Sequence, residues 1–470
     1  MRKYNLYIVI LLLIFSFTSV TNANSGPTYW RGYPSLEVLA VDENSTIKVE
    51  NEELIFDFSK EEYLDYHDYS LSGLVTARYA MSNSIGTHET VLMAFPFISS
   101  IDTFNPSDII IRSDELSIPY KIYIGDEYRG KSRNDDVFAD DKLEFKNIVN
   151  SISDKIYSPK YYDLDEVGTL YTYEVKTQGD EVRIAIDYTI DREKTKIISK
   201  GFNGMYMDGN EESITTWIYE NETLEVFMLG EDIELNFNGY SDGELKNVTD
   251  KYSYELKTEE ITIRDYITKE VEAYKAQFIF NDYLAENQLF NLCAKSLDES
   301  IEKNIVNLHS DELFSIDIFD RIFVLLYEVE FLPKSSKNIE VSYLARGTMD
   351  SIETTEPLYK FDYLLNPASN WASFKDLSIE IIPPKEHPYV IDSSIELIRN
   401  ENGIYSGEFE SLPNEDLSFT LYSNEEITLM DKVKRKISRH NYLLLETIAF
   451  IILIIIAVFR LVRNRKKKNN

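Results

Sequence analysis

A single cysteine, Cys293, stands in 470 residues, so no disulfide can form within the chain, and a chain of this length buries enough core without one. Histidine is almost as scarce. His67, His88, His309, His387 and His440 are scattered, none in a zinc spacing such as HExxH, and neither a GxSxG elbow nor an SxxK occurs. The motifs of zinc and serine hydrolases are therefore missing. Paired carboxylates for glycoside hydrolysis need only meet in space, so sequence spacing leaves that chemistry open. Positive charge is also short, with 48 Lys and Arg against 81 Asp and Glu and a formal net charge of −33. Between residues 24 and 431 the imbalance deepens to 35 basic against 80 acidic side chains. Such a surface repels nucleic acid and other anionic polymers, which excludes a DNA or RNA role and favours cationic partners or divalent cations.

What is present first fixes an address. Residues 1–23 read as a secretory signal peptide: Arg2 and Lys3 precede an apolar run from Leu6 to Val20, and Thr21 and Ala23 are small residues at the cleavage positions. No cysteine lies there to carry a lipid, and no LPxTG-like pentapeptide is found near the C-terminus. Residues 442–459 are apolar apart from Glu446 and Thr447. At about 1.5 Å per residue these eighteen positions span about 27 Å, enough for one transmembrane helix with snorkelling flanks. The tail 460–470 is basic and is expected in the cytoplasm. The expected protein is single-pass, with its ectodomain outside. Just before the span, residues 424–441 are expected to form an amphipathic helix at the outer membrane surface, capped by Ser423 or Asn424. Ile427, Met430, Val433 and Ile437 make its apolar stripe, and Lys432, Lys434, Arg435, Lys436 and Arg439 face the headgroups. Glu446, four residues into the span, reads as a snorkelling or protonated carboxyl, or as a contact for a partner helix.

Period-two alternation runs through most of the ectodomain and predicts half-buried strands. The fold expected is mostly β: tandem β-sandwich-like extracellular modules with helical insertions, ahead of the transmembrane helix. The divisions are an N-terminal sandwich over 24–126, an acidic and helical insertion over 127–165, a second β region over 166–265, a helical segment over 266–309 and a third β region over 310–423. Val75, Ala77, Tyr79 and Met81, then Val91, Met93, Phe95 and Phe97, suggest a hairpin around the polar "SNSIGTHE". Phe145, Ile148, Ile152 and Ile156 keep helical spacing, as do Leu289, Cys293, Leu297, Ile301 and Ile305, which puts Cys293 in a core as a small hydrophobe. "RIFVLLYEVEFLP" is apolar enough to need cover on both faces. Trp371 and Phe374 read as a plug at a sandwich end.

Two local clusters carry binding chemistry. In "GPTYWRGYP", Tyr29, Trp30 and Tyr33 can stack on sugar rings while Arg31 directs hydrogen bonds; equally, such a cluster at a first strand packs inward and pins the terminus. In "NDDVFADD", Asp135, Asp136, Asp140 and Asp141 can offer oxygens to calcium, and the same residues also read as a solvated acidic loop. "DLDEVGTLYTYE" matches an EF-hand loop at Asp163, Asp165, Gly168 and Glu174, but Val167 stands where an oxygen ligand is needed and the flanks are not helical. No other cofactor is implied.

"YLLNPASNWASFKDLSIEIIPP", "GPTYWRGYPS" and "VLMAFPF" together resemble membrane-anchored surface proteins of clostridia and related low-GC Gram-positive bacteria. The resemblance implies a surface location and a β architecture, and no activity. The reading that follows is a non-enzymatic binding or structural role at the cell envelope, with an extracellular ligand or a protein partner at the membrane. An envelope glycan or peptide hydrolase, or a sensor acting through a membrane partner, is the alternative.

Overall fold

The computed structural model describes residues 28–30, 32–41, 45–60, 70–128, 145–275, 280–303, 307–309, 319–365, 371–433 and 435. They are mostly strand. The first part of the chain holds β1 (Tyr29–Trp30), β2 (Ser35–Leu36), β3 (Leu39–Ala40), β4 (Ile47–Asp57), β5 (Ser72–Asn83), β6 (Glu89–Ser99), β7 (Ile109–Ser113), β8 (Leu116–Ser117) and β9 (Lys121–Glu127). Helix α1 (Phe145–Ser151) leads to β10 (Val167–Thr177), β11 (Val182–Thr189), β12 (Thr195–Lys200), β13 (Gly204–Asp208), β14 (Glu211–Ile218), β15 (Asn221–Gly230), β16 (Asn236–Tyr240) and β17 (Tyr252–Thr262). Helices α2 (Ile263–Lys275) and α3 (Gln288–Glu302) and strand β18 (Asn307–His309) follow. The last part holds β19 (Arg321–Phe331), β20 (Ser336–Arg346), β21 (Thr348–Asp350), β22 (Leu358–Leu364), β23 (Leu377–Ile382), β24 (Tyr389–Ser393), β25 (Ile398–Arg399), β26 (Tyr405–Phe409) and β27 (Leu417–Tyr422).

The first and third β regions are not separate sandwiches. One eight-stranded sheet runs β25-β26-β23-β4-β5-β20-β7-β8, a four-stranded sheet runs β3-β6-β19-β9, and a third joins β1 and β2 to β21, β22, β27 and β24. Strands from the two ends of the sequence thus alternate within single sheets. The boundaries at 126 and 310 divide the sequence and not the folded body, because the long strands of the first region find their hydrogen-bond partners in the last.

The expected hairpin of β5 and β6 is corrected in the same way. β5 pairs with β20 through eleven residues, and β6 pairs with β19 through eleven, in two different sheets. Both connections are arches that carry the chain from one layer to the other. Asn83 ties them together: its side-chain amide donates to the carbonyls of Thr87, Phe331 and Leu332, and its own N–H donates to Ser335. Val75, Ala77, Tyr79 and Met81 then face Val91, Met93 and Phe95 across one core. A hairpin and an arch bury alternate residues alike, so periodicity does not separate them. The other side of β19 is covered too, since Ile322 and Val324 pack with Leu36, Leu39, Tyr123 and Ile148 while Phe323 and Leu325 join the main core.

The second β region does close on itself. Val182, Ile184, Ile186, Ile214 and Ile218 from the sheet β13-β14-β11-β16 meet Tyr173, Val175, Ile197, Leu224 and Val226 from the sheet β17-β10-β15-β12-β18. The far face of this five-stranded sheet rests on the helices: Leu170, Phe227 and Leu229 belong to the same core as Ile263, Tyr266, Ile267, Leu289 and Cys293, and the Phe227 and Tyr266 rings stack at 4.4 Å. Cys293 is 3% exposed, the small buried hydrophobe its spacing implied.

Helix α1 stops at Ser151, shorter than the Phe145–Ile156 spacing suggested, and Ile156 is exposed. Ser151 turns its hydroxyl back to the Ile148 carbonyl, which competes with continuing the helix. The next ten residues lie along α3 as a strap. Gln288, Asn287 and Asn291 donate to the carbonyls of Ser153, Asp154 and Lys155, and Asn291 also accepts from the Tyr157 N–H. The Asp298 carboxylate accepts from the N–H groups of Lys160 and Tyr161 and from the Tyr157 hydroxyl. Every one of these partners sits on one face of α3, so side chains supply the hydrogen bonds that a neighbouring strand would otherwise give.

Candidate functional site

The outer face of the eight-stranded sheet carries a groove of about 470 Å³ across β4, β5, β20 and β7, lined by Asn51, Glu53, Arg78, Arg112, Asp114 and Glu340 among others. Alternation along each strand puts these side chains out while their neighbours Leu54, Ala77, Tyr79, Val341 and Ile111 point to the core. Register then sets Glu53 opposite Arg78, Arg78 opposite Glu340 and Glu340 opposite Arg112. The result is a cross-strand row of alternating charge. Arg78 donates from Nε to Glu340 at 3.0 Å and from Nη1 to Glu53 at 2.9 Å, and Arg112 reaches the other Glu340 oxygen at 3.3 Å. Those carboxylates raise the Arg78 guanidinium above its ordinary value, so it stays charged at any working pH.

The rim of the groove is held in a strained turn. Asp114 and Glu115, between β7 and β8, both have positive φ, 46° and 71°, the backbone of a type I′ turn that usually selects Asn and Gly. Asp114 holds it by exchanging bonds with Asn338: its carboxylate accepts from the Asn338 N–H at 3.0 Å, and its own N–H donates to the Asn338 carbonyl at 2.9 Å. Charged, planar and pre-oriented, the row offers donors and acceptors to a polar ligand. Ser378, opposite Glu53 in the register of β23 on β4, gives its hydroxyl to the Glu52 carbonyl at 3.2 Å.

On the inner face of the same strands, back to back with the groove, lie two carboxylates with no exposure at all, Glu37 and Glu52. The Tyr79 hydroxyl donates to Glu37 at 2.5 Å. The other Glu37 oxygen and both Glu52 oxygens have no hydrogen-bond partner. Periodicity read forward from Ile47 and Val49 would put Glu52 in solvent. A bulge between Val49 and Asn51 shifts the strand by one residue, and Glu52, Leu54 and Phe56 turn inward instead.

The residues singled out in the sequence fall elsewhere. Tyr29 and Trp30 form β1 and pair with Asp350 and Met349, with Trp30 40% exposed. Tyr33 is half-buried, its ring edge-on to Tyr128 at 5.9 Å and its hydroxyl bonded to Asp320. As successive residues of one strand, Tyr29 and Trp30 point to opposite faces of it. Arg31, the calcium loop Asp135, Asp136, Asp140 and Asp141, Lys434, Lys436, Arg439 and Glu446 lie outside the described residues. Among those that are described, no cluster of three or more His, Cys, Asp or Glu is placed to hold a metal. The EF-hand spacing dissolves because Val167–Thr177 is a strand in which Glu174 pairs with Thr223 and Glu255. Trp371 is buried and its indole donates to the Val38 carbonyl at 3.3 Å.

Near the C-terminus the helix begins at Thr428, later than Ser423 or Asn424. Thr428 and Asp431 form a reciprocal cap, in which the Asp431 N–H donates to the Thr428 hydroxyl and the Thr428 N–H to the Asp431 carboxylate, satisfying two otherwise orphaned donors. Leu429, Met430 and Val433 are 83%, 61% and 47% exposed, and Lys432 pairs with Glu353 at 3.6 Å. Among the described residues no helix is long and apolar enough to cross a membrane; the span expected at 442–459 lies outside them.

No family model matches this chain, and neither does any curated protein. Among solved structures, a candidate nutrient binding protein of Legionella pneumophila subsp. pneumophila str. Philadelphia 1 superposes with a TM-score of 0.35 at 11% identity, over 87% of this chain and 76% of that one. So loose a likeness says nothing about the groove.

Proposed function

We propose that the protein is a membrane-anchored surface protein whose ectodomain binds a neutral, hydroxyl-rich envelope ligand without transforming it, and that the groove over Arg78 and Glu340 is where it binds. The observation that carries this reading is the row Glu53, Arg78, Glu340, Arg112. Its two carboxylates and two guanidiniums pair with one another and present fixed hydrogen-bonding edges, while Asp114 and Glu115 leave the rim acidic and turn anionic ligands away. An acidic body of this kind would repel anionic polymers and leave a neutral glycan free to approach. The exposed Leu429, Met430 and Val433 support the membrane half of the reading, as an apolar stripe beside the expected span. So does the chain path: Ser351, close to the Lys432 partner Glu353, accepts the start of the chain by donating its N–H to the Thr28 carbonyl. Thr28 and Lys432, near the two limits of the described body, thus both lie against residues 351–353.

The test is thermal unfolding of the full chain with and without neutral cell-wall oligosaccharides, repeated with calcium and with a chelator. A ligand at a hundredfold its dissociation constant adds about 2.7 kcal/mol, a rise of at least about two degrees. The rise should vanish in Arg78→Ala and Glu340→Gln. No rise with any glycan would overturn the assignment, and a rise with calcium alone would move attention to the acidic loops.

A further inference from the structure

Glu37 and Glu52 are buried ionisable side chains that the binding reading leaves unused, and they differ from the buried Glu212, Glu225 and Glu270, which face Arg192, Lys269 and Lys200. Glu37 lies on the short link between β2 and β3, the segment that brings the N-terminal chain onto the body; its N–H donates to the Leu364 carbonyl. Glu52 lies on β4 behind the bulge. Around them stand Tyr79 from β5, Tyr343 from β20 and Tyr363 from β22, all buried, with Ser35 beside Tyr343. No lysine or arginine is among the groups acting on either carboxyl. Two negative charges so placed, without a cation and with three unpartnered oxygens, would cost far more than any hydrogen bond on hand returns.

We propose that Glu37 and Glu52 hold protons between them and act as a pH-sensitive latch, closing the N-terminal segment 32–41 onto the eight-stranded sheet while protonated and loosening it when both ionise. Sharing a proton converts one carboxyl into a donor for the other and occupies oxygens that otherwise stay orphaned. Burial drives both groups above the ordinary carboxyl range, Glu37 to about 7, and for Glu52 the neighbouring Glu37 charge adds to it. Because the folded values lie above the unfolded one, the stabilisation from this pair is complete below the unfolded value of about 4.5 and is lost as pH rises above it, for Glu37 through about 7. On the surface reading proposed above the body meets external pH directly, so the latch would report it.

The experiment follows the melting midpoint of the full chain from pH 4.5 to 9, alongside amide hydrogen exchange at Ser35–Ala40. Wild-type protein should lose stability and protection in that segment as pH rises through 7. Glu52→Gln, which keeps the shape and can donate to Glu37, should flatten both curves. Parallel pH profiles for wild type and variant would overturn the proposal. If Glu52→Gln does not fold, infrared spectra of the wild type decide: a protonated-carboxyl carbonyl band at pH 6 that is lost by pH 9 supports the latch, and its absence at pH 6 overturns it. A midpoint at pH 8 that rises with calcium and falls with a chelator, and does neither in Glu52→Gln, would also overturn it, because a cation and not a proton would then hold the pair.

Discussion

Asp298 and Arg78 show how differently two charged side chains weigh in this molecule. Asp298 is 3% exposed. Burial pulls its carboxyl up, but the N–H groups of Lys160 and Tyr161 and the Tyr157 hydroxyl outweigh that and hold it below the usual carboxylate range. Asp298→Ala would strand those donors, and a loss of about 2–4 kcal/mol is expected in denaturant unfolding. Since the folded value is depressed, the contribution is present above the unfolded value and fades as pH falls through the folded one, so the gap between wild type and Asp298→Ala should narrow in acid. Arg78 makes more ion pairs yet is half-exposed, and exposed pairs are worth under about 1 kcal/mol each. Arg78→Ala should therefore leave the midpoint almost unchanged in the absence of ligand, which makes it a clean probe of the groove. Cys293 was readable in advance, from its place in a four-residue apolar repeat. Glu52 was not: the apolar alternation changes phase between Val49 and Leu54, but where in the polar run between them the shift falls is decided by hydrogen bonding to the neighbouring strand.

At the scale of elements, the strands were legible and their partners were not. The runs ending in Met81 and Phe97 were correctly read as strands, although β6 buries Ala94 on its second face as well, but pairing them as a hairpin assumed that neighbours in sequence are neighbours in a sheet. Asn83 decides otherwise by binding the two arches into one corner. Asn83→Ala removes donors to three carbonyls in a site 1% exposed, and should cost about 1–3 kcal/mol in denaturant unfolding. A glycine does similar service in the central module. Gly230 ends β15 at φ +91°, where a Cβ would lie 1.9 Å from the Lys194 carbonyl oxygen. Gly230→Ala adds a left-handed backbone penalty of about 1–2 kcal/mol to that clash, and should lower the thermal midpoint accordingly. The strap over α3 could have been suspected from Asn287, Gln288, Asn291 and Asp298 on one helical face. Polar residues there, beside an apolar stripe, look like an ordinary solvated edge until an extended segment is laid along them.

For the whole molecule, the architecture makes an unequal prediction about its parts. Residues 28–128 contain β4, β5 and β6, whose long partners β20, β23 and β19 come from residues 321–382. Expressed alone, that fragment should show no cooperative unfolding by circular dichroism. Residues 153–309 carry their own two-sheet core together with α2 and α3, and should unfold cooperatively. The opposite result for either fragment would mean that the sheets do not form as described. Composition and local pattern by themselves determined an acidic, disulfide-free, mostly β chain, the strand positions and the burial of Cys293, because these depend on side-chain chemistry and on periods of two and 3.6 residues along the chain. Only the tertiary structure decided that the first and third β regions are woven into common sheets, that Arg78, Glu340 and Arg112 share one groove, and that Glu37 meets Glu52. Those relations, which reach 262 positions between Arg78 and Glu340, are made through strand register and strand bulges, and register is set by which sheets close around the core.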